Sequence, residues 1–424
     1  MRGFPIPSNE NERLSELEKL RFNEWGVSAA LSELCAIASD LLGMPTAHVS
    51  LVGETHQVFA EQGGLDAVRT AREVAFCAHT IMTSKPFVVE NADNDPRFSL
   101  NPIVMGKPGI KSYVGVPLET SPGLRIGALC AVDGNPRSFT ANDIRTLIGL
   151  AHIVVTILNS HRMSLELDEQ LEAAIALQTD MLPSASRLAQ IQAHCPLDLS
   201  SYYNPRDGIG GDIWGIELTG PQRVMIYLAD FTGHGVAAAL NAARLHSFVH
   251  MMWQRSGRPA PLLRNLNQRL NEVLPTGQFA TMFCATIDFA MQRIEYASAG
   301  APQQLYRASS EHPFEVISQS SLPLGILRDA AYESKARPFF EGGALILYSD
   351  GLVETPKPPK SILTPDHLRD LLNNYDQNKD AHQICQNVVG HLFSKQTIKA
   401  TDDITLLIAK HRGGVAEPVI DYEV

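Results

Sequence analysis

Arg223-Val-Met-Ile-Tyr-Leu-Ala-Asp230 runs straight into Phe-Thr-Gly-His-Gly235-Val-Ala-Ala-Ala. An apolar run of strand length ends in an acid, a glycine-bracketed turn follows, and a helix of small residues begins. The same device recurs at Ala344-Leu-Ile-Leu-Tyr-Ser-Asp350-Gly351, and in reverse at Asp402-Asp-Ile-Thr-Leu-Leu-Ile-Ala409, with Gly210-Gly-Asp212 upstream. Carboxylates gathered where buried strands meet turns repel one another and resist desolvation unless a cation is held among them. A cluster rich in oxygen and poor in His and Cys suits Mg²⁺ or Mn²⁺ rather than zinc. The pattern points to metal-assisted phosphate chemistry. A strand beginning at Asp402, antiparallel to strands that stop at Asp230 and Asp350, would bring three acids to one sheet edge. The glycines around them let the backbone approach a cation or a phosphate closely.

A chain of 424 residues exceeds what one hydrophobic core usually supports, so two domains and a connector are expected. Hydrophobic content of 44% with 19% charged residues is that of a folded chain. The net charge of −11 argues against a large nucleic-acid-binding face and against an anionic membrane surface. Six cysteines (35, 77, 130, 195, 284 and 385) form no CxxC pair and no metal-finger spacing. Several sit in apolar runs, where a small buried thiol is the simplest reading; Cys77 and Cys130 are read in the same way, ahead of a redox or cofactor role. The opening Met-Arg-Gly-Phe-Pro lacks an apolar signal core, and the apolar stretch Leu147–Leu158 is too short to span a bilayer. The expectation is a reduced, cytoplasmic protein with no membrane anchor.

Helical spacing marks Asn9 to Leu42, stopped by Gly43-Met-Pro45. Ala47–Val52 and Gln57–Ala60 alternate as a hairpin-like pair around Gly53-Glu54. Phe76–Ile81 reads as a short helix, Phe87–Glu90 as a strand, and Asn91–Pro108 as loop. Tyr113–Leu118 and Ile126–Val132 read as central strands, and Thr140 caps a helix running to Leu158. On Phe76-Cys-Ala-His-Thr-Ile81, Asp95-Pro-Arg-Phe98, Gly115-Val-Pro-Leu118, Gly127-Ala-Leu-Cys-Ala-Val-Asp133 and Pro136-Arg-Ser-Phe139, the segment 24–160 resembles a GAF domain. The resemblance implies an α/β sensor with a central antiparallel sheet and a pocket over one face, whose ligand does not carry over and is unknown. Residues 1–23 are expected to form a helix before it. Residues 161–183 carry an apolar stripe through Leu165, Leu167, Leu171, Ile175 and Leu182, ended by Pro183. They read as a linker helix that pairs with a second copy as a short coiled coil, making a homodimer.

Tyr203-Asn-Pro-Arg-Asp-Gly-Ile-Gly-Gly-Asp212, Ala229-Asp-Phe-Thr-Gly-His-Gly235, Tyr296-Ala-Ser-Ala-Gly-Ala-Pro302, Pro323-Leu-Gly325, Tyr348-Ser-Asp-Gly351 and Asp402-Asp-Ile-Thr405 follow in order. Together they resemble the PP2C-like (PPM) serine/threonine phosphatases, in the bacterial SpoIIE/RsbU branch. Glu172–Pro183 is similar to that branch's regulatory helix. The implied fold for 184–412 is an α-β-β-α sandwich, within an α/β (α+β) chain ending in a tail at 413–424. The implied catalytic residues are Asp212, Asp230, Asp350 and Asp402, around two Mn²⁺ or Mg²⁺ ions. Asp230 bridges both ions, the Phe231 carbonyl is a backbone ligand, Asp350 and Asp402 hold one ion and Asp212 the other. Strand alternation turns Asp403 away if Asp402 faces the site. His234 reads as a cap or turn residue ahead of a catalytic acid, and Arg206 as solvated ahead of a phosphate ligand. Two departures stand out: Ala301 replaces a His usual in the branch, and Ile213-Trp-Gly215 replaces a stretch that ends in a further Asp. The substrate class implied is a phosphorylated STAS-type anti-anti-sigma protein in a partner-switching cascade. The competing readings are a non-catalytic GAF-bearing scaffold that binds a phosphoprotein, and a small-molecule phosphatase. The second is disfavoured because Thr355–Lys360 and the polar stretch to Asp380 look like a protein-docking flap.

Overall fold

A computed structural model describes residues 4–21, 28–60, 69–106, 109–317, 320–354, 364–374, 379–393 and 402–413. The chain divides into two units, Met1–Glu169 and Gln170–Val424.

In the first unit, α1 (Glu10–Glu18) and α2 (Ala29–Leu42) precede a hairpin of β1 (Thr46–Val52) and β2 (His56–Phe59). Ser28 caps α2 by accepting from Leu31 N, and Gly43 ends it at φ 59°, a conformation that favours glycine. Next come β3 (Arg69–Ala71), α3 (Cys77–Thr80), β4 (Phe87–Val89), α4 (Pro102–Met105), β5 (Ser112–Ser121) and β6 (Leu124–Asp133). The six strands form one antiparallel sheet in the order β3-β2-β1-β6-β5-β4, so the segments read as central strands are central. One face packs against α2 through Leu31, Ala38 and Leu42. The other is closed by α3, Phe76, Phe98 and Tyr113, with the two phenylalanine rings stacked at 4.1 Å. The expected pocket over a sheet face is therefore filled by aromatic side chains on that side. A groove of about 480 Å³ lies on the other face, lined by Val116, Pro117, Ile148, Ala151, His152 and Val155.

Helix α5 (Ala141–Met181) is one element where sequence spacing suggested two. Nothing between Thr140 and Pro183 breaks it except Gly149, which a helix tolerates. At its start Asp143 N donates to Thr140 Oγ1 while Thr140 N donates to the Asp143 carboxylate, a reciprocal cap. The helix is long and apolar enough in one stretch to meet the length and composition of a membrane span. Within the first unit part of that apolarity goes into core packing, since Leu147, Ala151, Val154 and Leu158 are buried while Ile153 is exposed.

The second unit continues with α6 (Ala185–His194), β7 (Leu197–Asn204), β8 (Ile213–Gly220), β9 (Arg223–Phe231), α7 (Val236–Ser256) and α8 (Pro259–Val273). Then follow β10 (Ala280–Asp288), β11 (Arg293–Ala299), β12 (Gln304–Arg307), β13 (Glu315–Ile317), β14 (Lys335–Pro338) and β15 (Ala344–Tyr348). The described residues end with α9 (Asp350–Glu354), α10 (Pro365–Asn373), α11 (Ala381–Phe393) and β16 (Ile404–His411). Two five-stranded sheets result, β14-β11-β10-β9-β8 and β13-β12-β15-β16-β7. Ile226 and Leu228 of β9 meet Leu345, Leu347 and Leu407 between the sheets, while Tyr227 and Ala229 turn outward onto α7 and α8. Ile346 and Leu406 turn outward onto α10 and α11. Strand periodicity of two thus builds an α-β-β-α sandwich, the architecture expected.

Asp230 ends a strand of one sheet, whereas Asp350 and Asp402 flank the paired strands β15 and β16 of the other. The acids do not share one sheet edge. They meet where the two sheets face each other. Antiparallel pairing explains only the Asp350–Asp402 half of the cluster, and stacking of the sheets supplies the rest. The segment read as a docking flap, 355–360, and the tail 414–424 lie outside the described residues.

Candidate metal centre

Asp230 is the last residue but one of β9, opposite Thr281 of β10. By strand alternation it shares the inter-sheet side with Leu228. Burial pushes its carboxyl up to about 9, and the charges of Asp212, Asp350, Asp402 and Asp403 add to the shift in that order. Four carboxylates therefore act on a fifth, with Asp230 in their midst. Among the described residues no three His, Cys, Asp or Glu side chains close on a single point. What unites the aspartates is a common field of repulsion.

Asp212 is buried, 1% exposed, at the end of the loop joining β7 to β8. Its Oδ2 accepts from the Thr405 hydroxyl, while Oδ1 is buried without a hydrogen-bond partner. Burial pushes this carboxyl up to about 7; the Thr405 and Ser349 hydroxyls pull the other way, and Asp403 and Asp350 add to the rise. A buried oxygen with no donor is a group that structures rarely leave unanswered. A hard divalent cation answers it without a proton.

Asp403 does not turn away from the centre. It is buried, and its carboxylate accepts from Arg206 N at 2.8 Å and Gly211 N at 2.6 Å. Strand alternation fails there because β16 begins only at Ile404, so residues 402 and 403 follow turn geometry. Asp402 Oδ1 accepts from Asp403 N, which leaves Asp402 partly exposed beside the cluster. Asp403 thus latches the Asp212 loop, a role that spacing alone could not show. Ser349 completes the frame: its hydroxyl donates to Asp403 O and accepts from Thr405 N, tying the turn before Asp350 to the start of β16.

The backbone packs closely around the acids. A Cβ on Gly351 would fall 2.0 Å from Asp403 O, and one on Gly210 would fall 2.3 Å from Asp403 Oδ2. The Phe231 carbonyl lies against Gly211, as a Cβ there would come within 2.8 Å of it. Oxygen donors, an orphaned buried carboxylate oxygen and a close-packed glycine backbone together fit Mg²⁺ or Mn²⁺.

His234 lies on the turn between β9 and α7, mostly exposed, with Nδ1 3.2 Å from Asp207 Oδ2. It does not cap α7, whose N-cap is Gly235 with no side-chain hydrogen bond. Arg206 Nε stands 3.7 Å from the same carboxylate, so Asp207 joins the two side chains. Of the two departures from the branch pattern, the one at Gly215 has a local reason. Gly215 lies opposite Tyr227, whose ring would meet a Cβ at 2.6 Å, so an acid there would collide. Ala301 lines a cleft of about 10 Å³ with Asp230, Thr281 and Ser349, so the position that usually carries His is beside the centre.

Comparison with known proteins agrees with this geometry. Residues 26–159 match the GAF domain family, and residues 220–412 match the family described as Stage II sporulation protein E (SpoIIE). The cyclic di-GMP phosphodiesterase PA2567 of Pseudomonas aeruginosa is 35% identical over 166 residues, 39% of this chain and 28% of that protein. The phosphoserine phosphatase RsbP of Bacillus subtilis is 27% identical over 239 residues, 52% of this chain and 56% of that protein. The chain thus spans only about a quarter and about half of these two relatives. Among solved structures, the SiaA PP2C domain of Pseudomonas aeruginosa superposes with a TM-score of 0.52 at 20% identity. That match covers 58% of this chain and 98% of the domain, and it shows a shared fold. The protein therefore joins a GAF domain at residues 26–159 to a PP2C-like phosphatase domain of the SpoIIE family at residues 220–412.

Proposed function

We propose that this chain is a divalent-cation-dependent serine/threonine protein phosphatase, controlled by its GAF domain, whose substrate is a phosphorylated STAS-type anti-anti-sigma protein. The observation that carries the chemistry is the buried, partnerless Oδ1 of Asp212 within a field of aspartates centred on Asp230. Two Mn²⁺ or Mg²⁺ ions, when bound, would supply an acidified attacking water and charge balance for the phosphoryl oxygens. Asp230, on which the other acids of the cluster act, would be shared between them. Asp212 would offer Oδ1 to one ion, with the Phe231 carbonyl nearby, and Asp350 and Asp402 would hold the other. Asp403, which accepts from Arg206 N and Gly211 N, and Thr405, whose hydroxyl donates to Asp212, hold these ligands in place. Arg206 and His234, gathered by Asp207 on the loops that lead to Asp212 and away from Asp230, would be available to a substrate phosphate and its leaving oxygen. The substrate class is supported by likeness to the SpoIIE/RsbU branch and by a relative named as a phosphoserine phosphatase. A cytoplasmic setting is in keeping with six unbridged, buried cysteines.

The test is direct. Full-length protein with Mn²⁺ should hydrolyse p-nitrophenyl phosphate and a phosphoserine STAS protein, and EDTA should return both to background. Turnover that persists in EDTA would rule out the two-cation reading.

Regulation is assigned to a homodimer joined through α5. Met163, Leu167 and Leu177 of that helix are exposed at 58%, 64% and 65%, an apolar seam at spacings of four and ten that suits a paired helix. A change in the pitch or spacing of paired helices over Arg162–Met181 would shift the elements that carry Asp212 and Asp230. A ligand drives such a change only if it binds the two dimer states with different affinity. Changing Met163 and Leu167 together to Glu should convert a dimer to a monomer by sedimentation velocity at micromolar protein. Unchanged sedimentation would remove α5 as the dimer contact.

A further inference from the structure

Two thiols meet in the core of the GAF domain. Cys77 opens α3, Cys130 lies within β6, and each is 3% exposed. Their sulfurs share a hydrogen bond at 3.7 Å, across 53 residues of chain. The Tyr113 hydroxyl donates to Cys77 Sγ at 3.4 Å and lies 2.6 Å from the Thr80 hydroxyl. We propose that Cys77 and Cys130 are a reactive dithiol that hydrogen peroxide oxidises to a disulfide, a modification site within the GAF domain.

Core packing, the simpler reading of these cysteines in the sequence, accounts for a buried thiol as a small apolar group. It does not account for two thiols in contact with a hydroxyl aimed at one of them. Donors around a sulfur favour its thiolate, the form that attacks an oxidant. The hydrogen bond with Cys130 lowers Cys77 to about 7 against its burial, and the Tyr113 and Ser50 hydroxyls and the charge of His48 add to the fall. Burial instead raises Cys195, to about 11, and it raises Cys284 and Cys385 as well. The geometry allows the bond to close. A disulfide holds its sulfurs about 2.05 Å apart, so these must approach by roughly 1.7 Å. Strand β6 is hydrogen-bonded on both sides, to β1 and β5, whereas α3 is a four-residue helix. Helix α3 is therefore the part that moves, and Phe76, stacked on Phe98, moves with it.

The chemistry balances with peroxide as the only added reactant. The Cys77 thiolate attacks one peroxide oxygen, the O–O bond breaks, and the departing oxygen leaves as water with the thiol proton. Cys77 is then a sulfenic acid. Cys130 Sγ attacks that sulfur, the S–S bond forms, the S–O bond breaks, and a second water leaves with the Cys130 proton. The two sulfurs have given two electrons to one peroxide. In a reducing cytoplasm such a bond is transient, as befits a sensing site.

The test treats reduced full-length protein with hydrogen peroxide, blocks the remaining thiols and maps the peptides by mass spectrometry. A cross-link between Cys77 and Cys130, lighter by two hydrogens and reversed by dithiothreitol, is the expected product. Both thiols should disappear at least about tenfold faster than those of Cys35 and Cys385, which at 6% and 5% exposure would react first if access alone decided. Exchange of the amide hydrogens of residues 77–81 should slow, since the bond ties α3 to β6. A cross-link at other cysteines, or loss of all six thiols at one rate, would overturn the proposal. Cys130→Ser removes the resolving sulfur, so Cys77 should stop at the sulfenic acid and label with dimedone, while Cys130 in Cys77→Ser should not label. Equal labelling in the two variants would overturn the assignment of Cys77 as the attacking thiol. Where a variant fails to fold, the peptide map of the unaltered protein decides.

Discussion

Asp230→Asn should lower phosphatase turnover by at least about a thousandfold and yet raise the melting temperature of the cation-free protein. The two effects have one cause. Burial, and then the charges of Asp212, Asp350, Asp402 and Asp403 around it, raise the Asp230 carboxyl to about 9. Asn has the same shape and a neutral head group, so it removes the charge on which both cations would depend while leaving the packing of β9 alone. Loss of a preorganised electrostatic partner typically costs two to three orders of magnitude in rate, and loss of a bridging ligand removes the cations as well. Stability moves the other way, because an acid forced above its ordinary value makes the folded state pay for burial that Asn does not incur. The full shift would correspond to several kcal/mol at neutral pH. Asp230 is half-buried, so water screens part of that, and about 2 kcal/mol is the appropriate scale. For a unit of this size that is a rise of about 5 °C. The rise should vanish in saturating Mn²⁺, where the unaltered protein gains binding energy that the variant lacks. Differential scanning fluorimetry with and without Mn²⁺, beside a rate measurement, reads both effects. A variant that is inactive and also less stable without cation would place Asp230 in a structural role.

How far the sequence reaches is visible in these same residues. Asp230, Asp350 and Asp402 were legible because each punctuates a strand whose apolar alternation is plain, and the GAF strands β5 and β6 were legible for the same reason. Short-range signals also held at Gly43, where helix α2 stops, and at Thr140, where α5 starts. Partnership across the sandwich was not legible. That Asp230 belongs to one sheet and Asp350 to the other follows from which faces stack, and no local pattern encodes stacking. Asp403 escaped because alternation was applied to a residue that precedes its strand. The hydrogen bond from Gln178 to Gly210 escaped for a different reason: a glutamine in an exposed-looking helix carries no signal until its partner, 32 residues on, is known. The length of α5 had a signal after all, since no proline interrupts 140–182, but a change in polarity near His161 was read as a boundary.

Cation uptake should release protons, and the apparent affinity for Mn²⁺ should climb steeply between pH 6 and pH 8. Asp212 and Asp230 have carboxyls raised to about 7 and about 9, from an ordinary value of 3.8, by burial and by neighbouring acids. In the cation-free fold both hold protons over a range in which an unfolded chain has lost them. The folded state then binds more protons than the unfolded one, so the stability these groups contribute is fully present below about pH 3.8. It is lost as pH rises towards 7 for Asp212 and towards 9 for Asp230. A divalent cation needs both carboxylates ionised, so it competes with those protons and wins more easily as they become scarce. Other groups are shifted as well, including His246, whose burial lowers it to about 4, and Cys77 of the first unit, which its Cys130 neighbour lowers to about 7. The comparison of the unaltered protein with Asp230→Asn cancels them. The gap in stability between the two, without cation, should widen from pH 5 to pH 8 by at most about 1.4 kcal/mol per pH unit, read as a growing difference in melting temperature. Calorimetric titration of Mn²⁺ in two buffers of different ionisation enthalpy should count between one and two protons released per site near pH 7. A count of zero, with the same midpoint at pH 6 and pH 8, would mean that these carboxyls are already ionised in the fold. The repulsion that marks the centre as a cation site would then be absent.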